Sequence, residues 1–143
     1  MAAYLYDQYT KLCMTGVINP ATDTFRIILL TSGYTFDPAH TQLSDLGANE
    51  LATGNGYTVG GLILAGQTLT VSGDDTTLDF DDATWTGTGG DIGPVTGAAI
   101  FSDTSTNDML ACYIDFGGSK TCAVDSTFLI AFGDGGLVNY NKT

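Results

Sequence analysis

The chain has one histidine, His40, in the run Asp37-Pro38-Ala39-His40-Thr41. A Ser-His-Asp site through it would call for a serine on a G-x-S-x-G elbow, and the chain has no such run. A loop histidine making a local hydrogen bond is expected instead. The stretch Asp74-Asp75, Asp79 and Asp81-Asp82 is the one candidate metal site, because calcium takes clustered carboxylate oxygens. Its candidate ligands are Asp79, Asp81 and Asp82. The EF-hand pattern is not met, since its glycine and terminal glutamate are missing. Asp79 and Asp81 project from one face of a strand, which suits solvent as well as an ion. The expectation is therefore no metal and no cofactor. Gly87-Thr88-Gly89-Gly90-Asp91-Ile92-Gly93 misses the G-x-G-x-x-G spacing, and no helix signal follows it. Gly118-Ser119-Lys120-Thr121 has part of a phosphate-binding loop but lacks the glycine before the lysine. Both are expected to be turns between strands. No catalytic residue is assigned, and the chain is read as a non-enzyme.

Charge narrows the partners. The 143 residues carry 16 acidic and 4 basic side chains, a formal net charge of −12. Lys11, Arg26, Lys120 and Lys142 are scattered, so no basic patch can displace counterions from phosphates. Neither nucleic acid nor an anionic membrane is an expected partner. An acidic surface favours solubility and suits docking on a basic partner. No apolar segment approaches the roughly 20 residues of a membrane helix. Residues 1–7 have no basic leader or long apolar core, so no signal peptide is expected. Cys13, Cys112 and Cys122 form no C-x-x-C pair and do not suggest a secreted disulfide framework. They are read as thiols made in a reducing cytoplasm. A Cys112–Cys122 bridge across two neighbouring strands is the alternative.

The elements that must position these residues follow from periodicity. Leu5, Tyr9, Leu12 and Cys13 form one stripe at helical spacing, and Gly16 stands where a helix C-terminal glycine belongs. A helix over residues 3–15 is predicted. Residues 24–31 read as a strand, apolar at nearly every position and so covered on both faces. Arg26 is its odd member and should pair with an acid. Residues 32–61 are long and irregular, with a short helical turn at 43–46. Such a loop is either an interface arm or a cover for the core. Strands are predicted at 57–59, 62–64, 67–71, 78–81, 83–86, 96–102, 109–116 and 124–132, with residues 117–120 as a turn. Leu78 and Phe80 should face in, with Trp85 as a core anchor. The expected fold is mainly β: an antiparallel β-sandwich or barrel-like domain with one N-terminal α-helix, a single unit over 1–143.

Several segments together suggest a family. Leu5-Tyr6-Asp7 is followed by Thr22-Asp23-Thr24-Phe25-Arg26-Ile27-Ile28-Leu29-Leu30-Thr31-Ser32 and Tyr34-Thr35-Phe36-Asp37. Leu43-Ser44-Asp45-Leu46, Gly56-Tyr57-Thr58-Val59-Gly60-Gly61 and Phe80-Asp81-Asp82-Ala83-Thr84-Trp85 come after. This order resembles small virion structural proteins of tailed bacteriophages, over residues 4–116. The resemblance implies a non-enzymatic virion component made in the host cytoplasm. Head decoration (cement) on the major capsid protein is the first expectation. A neck or tail component contacting other virion proteins is the second. A multi-copy assembly or homo-oligomer is implied in either case. Aromatic residues outside the expected core would be the anchors, with Tyr4, Tyr6, Tyr34, Phe36 and Tyr140 as candidates. A carbohydrate-binding adhesion module using Trp85, Tyr57 and the aspartates is the third expectation.

Overall fold

The computed structural model describes residues 2–133 and 136–141. In chain order its elements are β1 (Ala2–Leu5), α1 (Gln8–Met14), β2 (Phe25–Leu30), a 3-10 turn (Leu43–Leu46), β3 (Leu62–Ile63), β4 (Thr68–Ser72) and β5 (Asp75–Asp79). Then come β6 (Ala83–Thr86), β7 (Ile92–Ser102), β8 (Leu110–Cys122), β9 (Thr127–Ile130) and β10 (Val138–Asn141). Three sheets result, with strand orders β1-β8-β7-β2-β3, β10-β5-β4 and β6-β9. Every pairing is antiparallel. The fold is mainly β and sandwich-like with one α-helix, as the sequence predicts.

Side chains alternate across a strand, so a strand apolar at every position must be covered twice. On one face of the large sheet, Ile27, Leu29, Ala98, Ile100, Cys112 and Ile114 meet Leu78, Trp85, Ile130 and Val138 from the smaller sheets and Phe80 just after β5. Tyr9 of α1 joins the same core. On the other face, Ile28, Leu30, Ala99, Phe101, Leu110 and Tyr113 are covered by Tyr6, Tyr34 and Leu46, with Phe36 and Leu43 packed alongside. The long loop thus roofs one face of the sheet. Each fully buried aliphatic side chain contributes roughly 1.5–3 kcal/mol. Arg26 Nε donates to Asp103 at 3.0 Å, the predicted acid pairing.

Four local expectations give way to other hydrogen bonding. First, the helix does not begin at residue 3. Residues 2–5 form β1, paired with β8 from Ala2↔Asp115 to Leu5↔Cys112. That ladder fills the edge of β8, which a helix would leave unpaired. The remaining seven-residue α1 is too short to hold itself in water and rests on packing through buried Tyr9. Its C-terminal side behaves as predicted, with Gly16 at φ +79°. Second, Gly117 and Gly118 lie inside β8, which continues to Cys122 by pairing with β7 at Val95↔Lys120 and Ile92↔Cys122. The register shifts along this pair, and glycines at φ +75° and +152° accommodate the irregular backbone. Cys112 and Cys122 therefore stand ten positions apart on one strand, beyond disulfide reach, and none of the three cysteines is in a disulfide. Third, residues 57–59 form no strand. Gly54 and Tyr57 exchange backbone hydrogen bonds in a tight loop, and β3 shrinks to two residues. Fourth, β10 appears in the polar tail, paired with β5.

Gly61 shows how closely that loop approaches the sheet. It has φ +64°, and a Cβ there would overlap the carbonyl oxygen of Ile27. Gly16 has the same hand of backbone but open space around it. Gly61→Ala is expected to cost at least about 2 kcal/mol by urea denaturation, and Gly16→Ala about 1 kcal/mol, the strain alone. Equal costs would mean that the close approach to Ile27 carries no weight.

Candidate functional site

The aromatic residues considered as anchors form a cluster. Phe36 stacks on Tyr4 (centroids 5.4 Å, 27° between planes) and on Tyr113 (5.0 Å, 8°). Tyr6 tilts against Phe36 at 5.3 Å, and Tyr34 meets Tyr113 edge-on at 5.5 Å. Tyr113, in the first part of β8, thus holds the group together, although residue type alone did not single it out. Strand alternation was its one signal: Tyr113 must face opposite to Cys112 and Ile114, towards the loop. Tyr6 and Tyr34 are buried, so they serve as the inner layer of the cluster and not as surface anchors. Tyr4 is 46% exposed and Phe36 is half-buried, and these two rings form the accessible rim. The Tyr140 side chain lies outside the described residues.

A chain of hydrogen bonds ties the loop to this layer. The Tyr6 and Tyr34 hydroxyls are 2.9 Å apart, and the Tyr34 hydroxyl lies 3.1 Å from His40 Nδ1. Asp37 Oδ2 lies 3.9 Å from His40 Nε2. His40 is thus a loop histidine bonded locally. Burial pushes the Tyr6 phenol far above its ordinary range, and the bond to Tyr34 adds to that. Burial likewise raises Tyr34 and Tyr113. All three are neutral hydroxyls at physiological pH. The next turn of the loop is held by Asp45, whose carboxylate accepts from the backbone N–H groups of Thr41 (2.8 Å) and Gln42 (3.1 Å). Those bonds hold Asp45 below the usual carboxylate range.

The acidic stretch behaves differently from a metal site. Asp79 Oδ1 accepts from Phe80 N–H at 2.9 Å, and Asp82 Oδ1 accepts from Phe132 N–H at 2.9 Å. The Asp81 carboxylate lies over Gly66, and the backbone N–H of Asp81 donates to the Ala65 carbonyl. The Asp79 and Asp82 carboxylates thus turn to separate backbone donors. Among the described residues no group of three His, Cys, Asp or Glu side chains could hold an ion. The glycine run at 87–93 is no phosphate cradle either, because its last two residues already belong to β7. Trp85 and Tyr57 are buried, which removes them as a sugar-stacking platform. Tyr57 is instead a structural post: its hydroxyl accepts from Leu29 N–H at 3.1 Å and donates to Glu50 Oε1 at 2.7 Å. Cys112 is buried too, and desolvation pushes its thiol up to about 12.

What fold and site define is a mainly β antiparallel protein with an aromatic face roofed by a hydrogen-bonded loop. No protein-family model, curated protein or solved structure matches the chain.

Asp45 gives the roof an acid limit. Its folded-state pKa lies below the ordinary 3.8, so its contribution is complete above that value and fades as pH falls through the folded one. Urea midpoints measured against pH should fall in wild type as pH drops below about 4. Asp45→Asn should start lower at pH 7 and show a shallower acid limb. Parallel limbs would remove Asp45 as the determinant.

Proposed function

We propose that this protein is a non-enzymatic structural component of a tailed-phage particle, a capsid decoration protein bound in many copies to the major shell protein. The observation carrying this reading is the ordered series of segments from residue 4 to 116 that resembles small phage virion proteins. The series supplies β2, the 3-10 turn, the loop around Tyr57 and β6, which are core and roof. His40, Asp45, Glu50 and Arg26 are each engaged in local hydrogen bonding that braces this scaffold. A repeated subunit benefits from such a build. Many modest contacts to a shell add large total stability, because each contributes in the assembled state alone. The rim of Tyr4 and Phe36 is the aromatic surface offered to that partner.

Quantitative mass spectrometry of purified particles tests the proposal, with the chain normalised to the major shell protein. A copy number equal to that of the shell protein, or a simple fraction of it, is expected. A few copies would move the protein to the neck or tail. Absence from the particle would overturn the virion reading altogether.

A further inference from the structure

The β4 edge of the three-stranded sheet stands open. β4 is the outer strand of β10-β5-β4, and all five of its residues are exposed. No backbone hydrogen bond among the described residues leaves its outer side. The two edges of the large sheet differ. β3 is two residues long, and the outer side of β1 shares a groove with residues 130–133. Proteins ordinarily blunt a free edge with a charge, a proline or a bulge. β4 has none of these: Thr68-Leu69-Thr70-Val71-Ser72 is uncharged and keeps regular register with β5 at all five positions.

The side chains say what such an edge would accept. Leu69 lies opposite Leu78 and Val71 opposite Thr76, so both sit on the face of the sheet where Leu78 is buried in the core. They overhang that core, with Leu69 39% and Val71 76% exposed. An added strand would lay its own apolar residues beside them and extend the sandwich by one strand. Among the described residues the charge around the edge is of one sign. Asp74 and Asp75 stand at the turn end, and Asp79, Asp81 and Asp82 lie at the other end. Between Arg26 and Lys120 the chain carries no lysine or arginine, and Arg26 is already paired with Asp103. A second copy is disfavoured by the same charges. Antiparallel pairing of two β4 strands about Thr70 would set Asp74 of each beside Gly66 of the other, where Asp81 lies.

We infer that β4 is a strand-addition site for an extended segment of a partner protein in which lysine or arginine alternates with apolar residues. Main-chain hydrogen bonds would supply the affinity, Leu69 and Val71 the apolar register, and the flanking aspartates the selectivity for positive charge. This goes beyond the virion reading and does not depend on it, since it concerns an edge and a ligand chemistry whatever assembly the chain joins.

The test titrates the full isotope-labelled chain with a synthetic peptide of about nine residues alternating Lys with Val. A second peptide has Glu in place of Lys. Saturable amide shifts centred on residues 68–72 are expected with the Lys peptide, weakened about tenfold by added salt. The Glu peptide should not bind. Val71→Lys should cut affinity about tenfold while leaving the thermal melt unchanged, because that side chain is largely in water. Leu129→Lys on β9, outside this sheet, should leave affinity unaltered. Absent or non-saturable shifts, shifts centred elsewhere, or equal binding of the Glu peptide would overturn the inference. So would concentration-dependent dimerisation through β4. Particle copy number is a separate readout, so either proposal can fail without the other.

Discussion

The antiparallel ladder of β2, β7 and β8 is the constraint from which the rest follows. Its strands carry apolar side chains on both faces, and neither face can be left to water. One face is closed by two small sheets and a short helix. The other is closed by irregular chain, the residues after β2 that fold back through Tyr34, Phe36 and Leu46. A loop is a costly cover, because its backbone groups need partners that no sheet supplies. Asp45 on the Thr41 and Gln42 N–H groups, and Asn49 on the Leu46 carbonyl at 2.6 Å, meet part of that need.

Polar groups buried beside the ladder are satisfied in a consistent way, by a carboxylate or hydroxyl reaching a main-chain donor. Asp23 accepts from the Ser102 hydroxyl at 2.8 Å and from Asn19 N–H at 3.0 Å, which ties the turn after α1 to the end of β7. Glu50 takes the Tyr57 hydroxyl and Gly60 N–H, both at 2.7 Å, which pins the second half of the long loop. Trp85 departs from this pattern, since its buried Nε1–H has no hydrogen-bond partner among the described residues. Such an orphan donor costs roughly 1–3 kcal/mol. Packing of the ring between Tyr57 and Phe128 offsets it.

The same economy separates scaffold from surface. The histidine, the Tyr6, Tyr34 and Tyr57 hydroxyls and several of the carboxylates are engaged in bracing, while the Tyr4 ring and the residues of β4 are exposed. Those features suit recognition by shape, main-chain pairing and charge, consistent with the structural role proposed.

Much of this was legible in the sequence because the signals were local. The run from Phe25 to Leu30 announced a strand buried on both sides, Leu78 and Phe80 announced their inward face by alternation, and Gly16 marked the end of α1. Leu43–Leu46 gave a helical turn where one was expected. Tertiary structure decided what depends on partners distant in the chain. Residues 2–5 became a strand because β8 offered an unpaired edge, although their own pattern favours a helix. Gly117 and Gly118 stayed in a strand because β7 ran long enough to pair past them. Tyr6 and Tyr34 left the surface because the loop folded inward over Tyr113, and the Asp82 carboxylate was drawn to the distant Phe132 N–H, which no spacing rule could foresee. The sequence by itself determined the type and faces of the strongly periodic strands, since hydrophobic burial acts on each strand's own alternation. Edge pairing, the Tyr6–Tyr34 contact of the loop and the Asp82 bond to Phe132 were settled by hydrogen bonds between residues far apart in the chain.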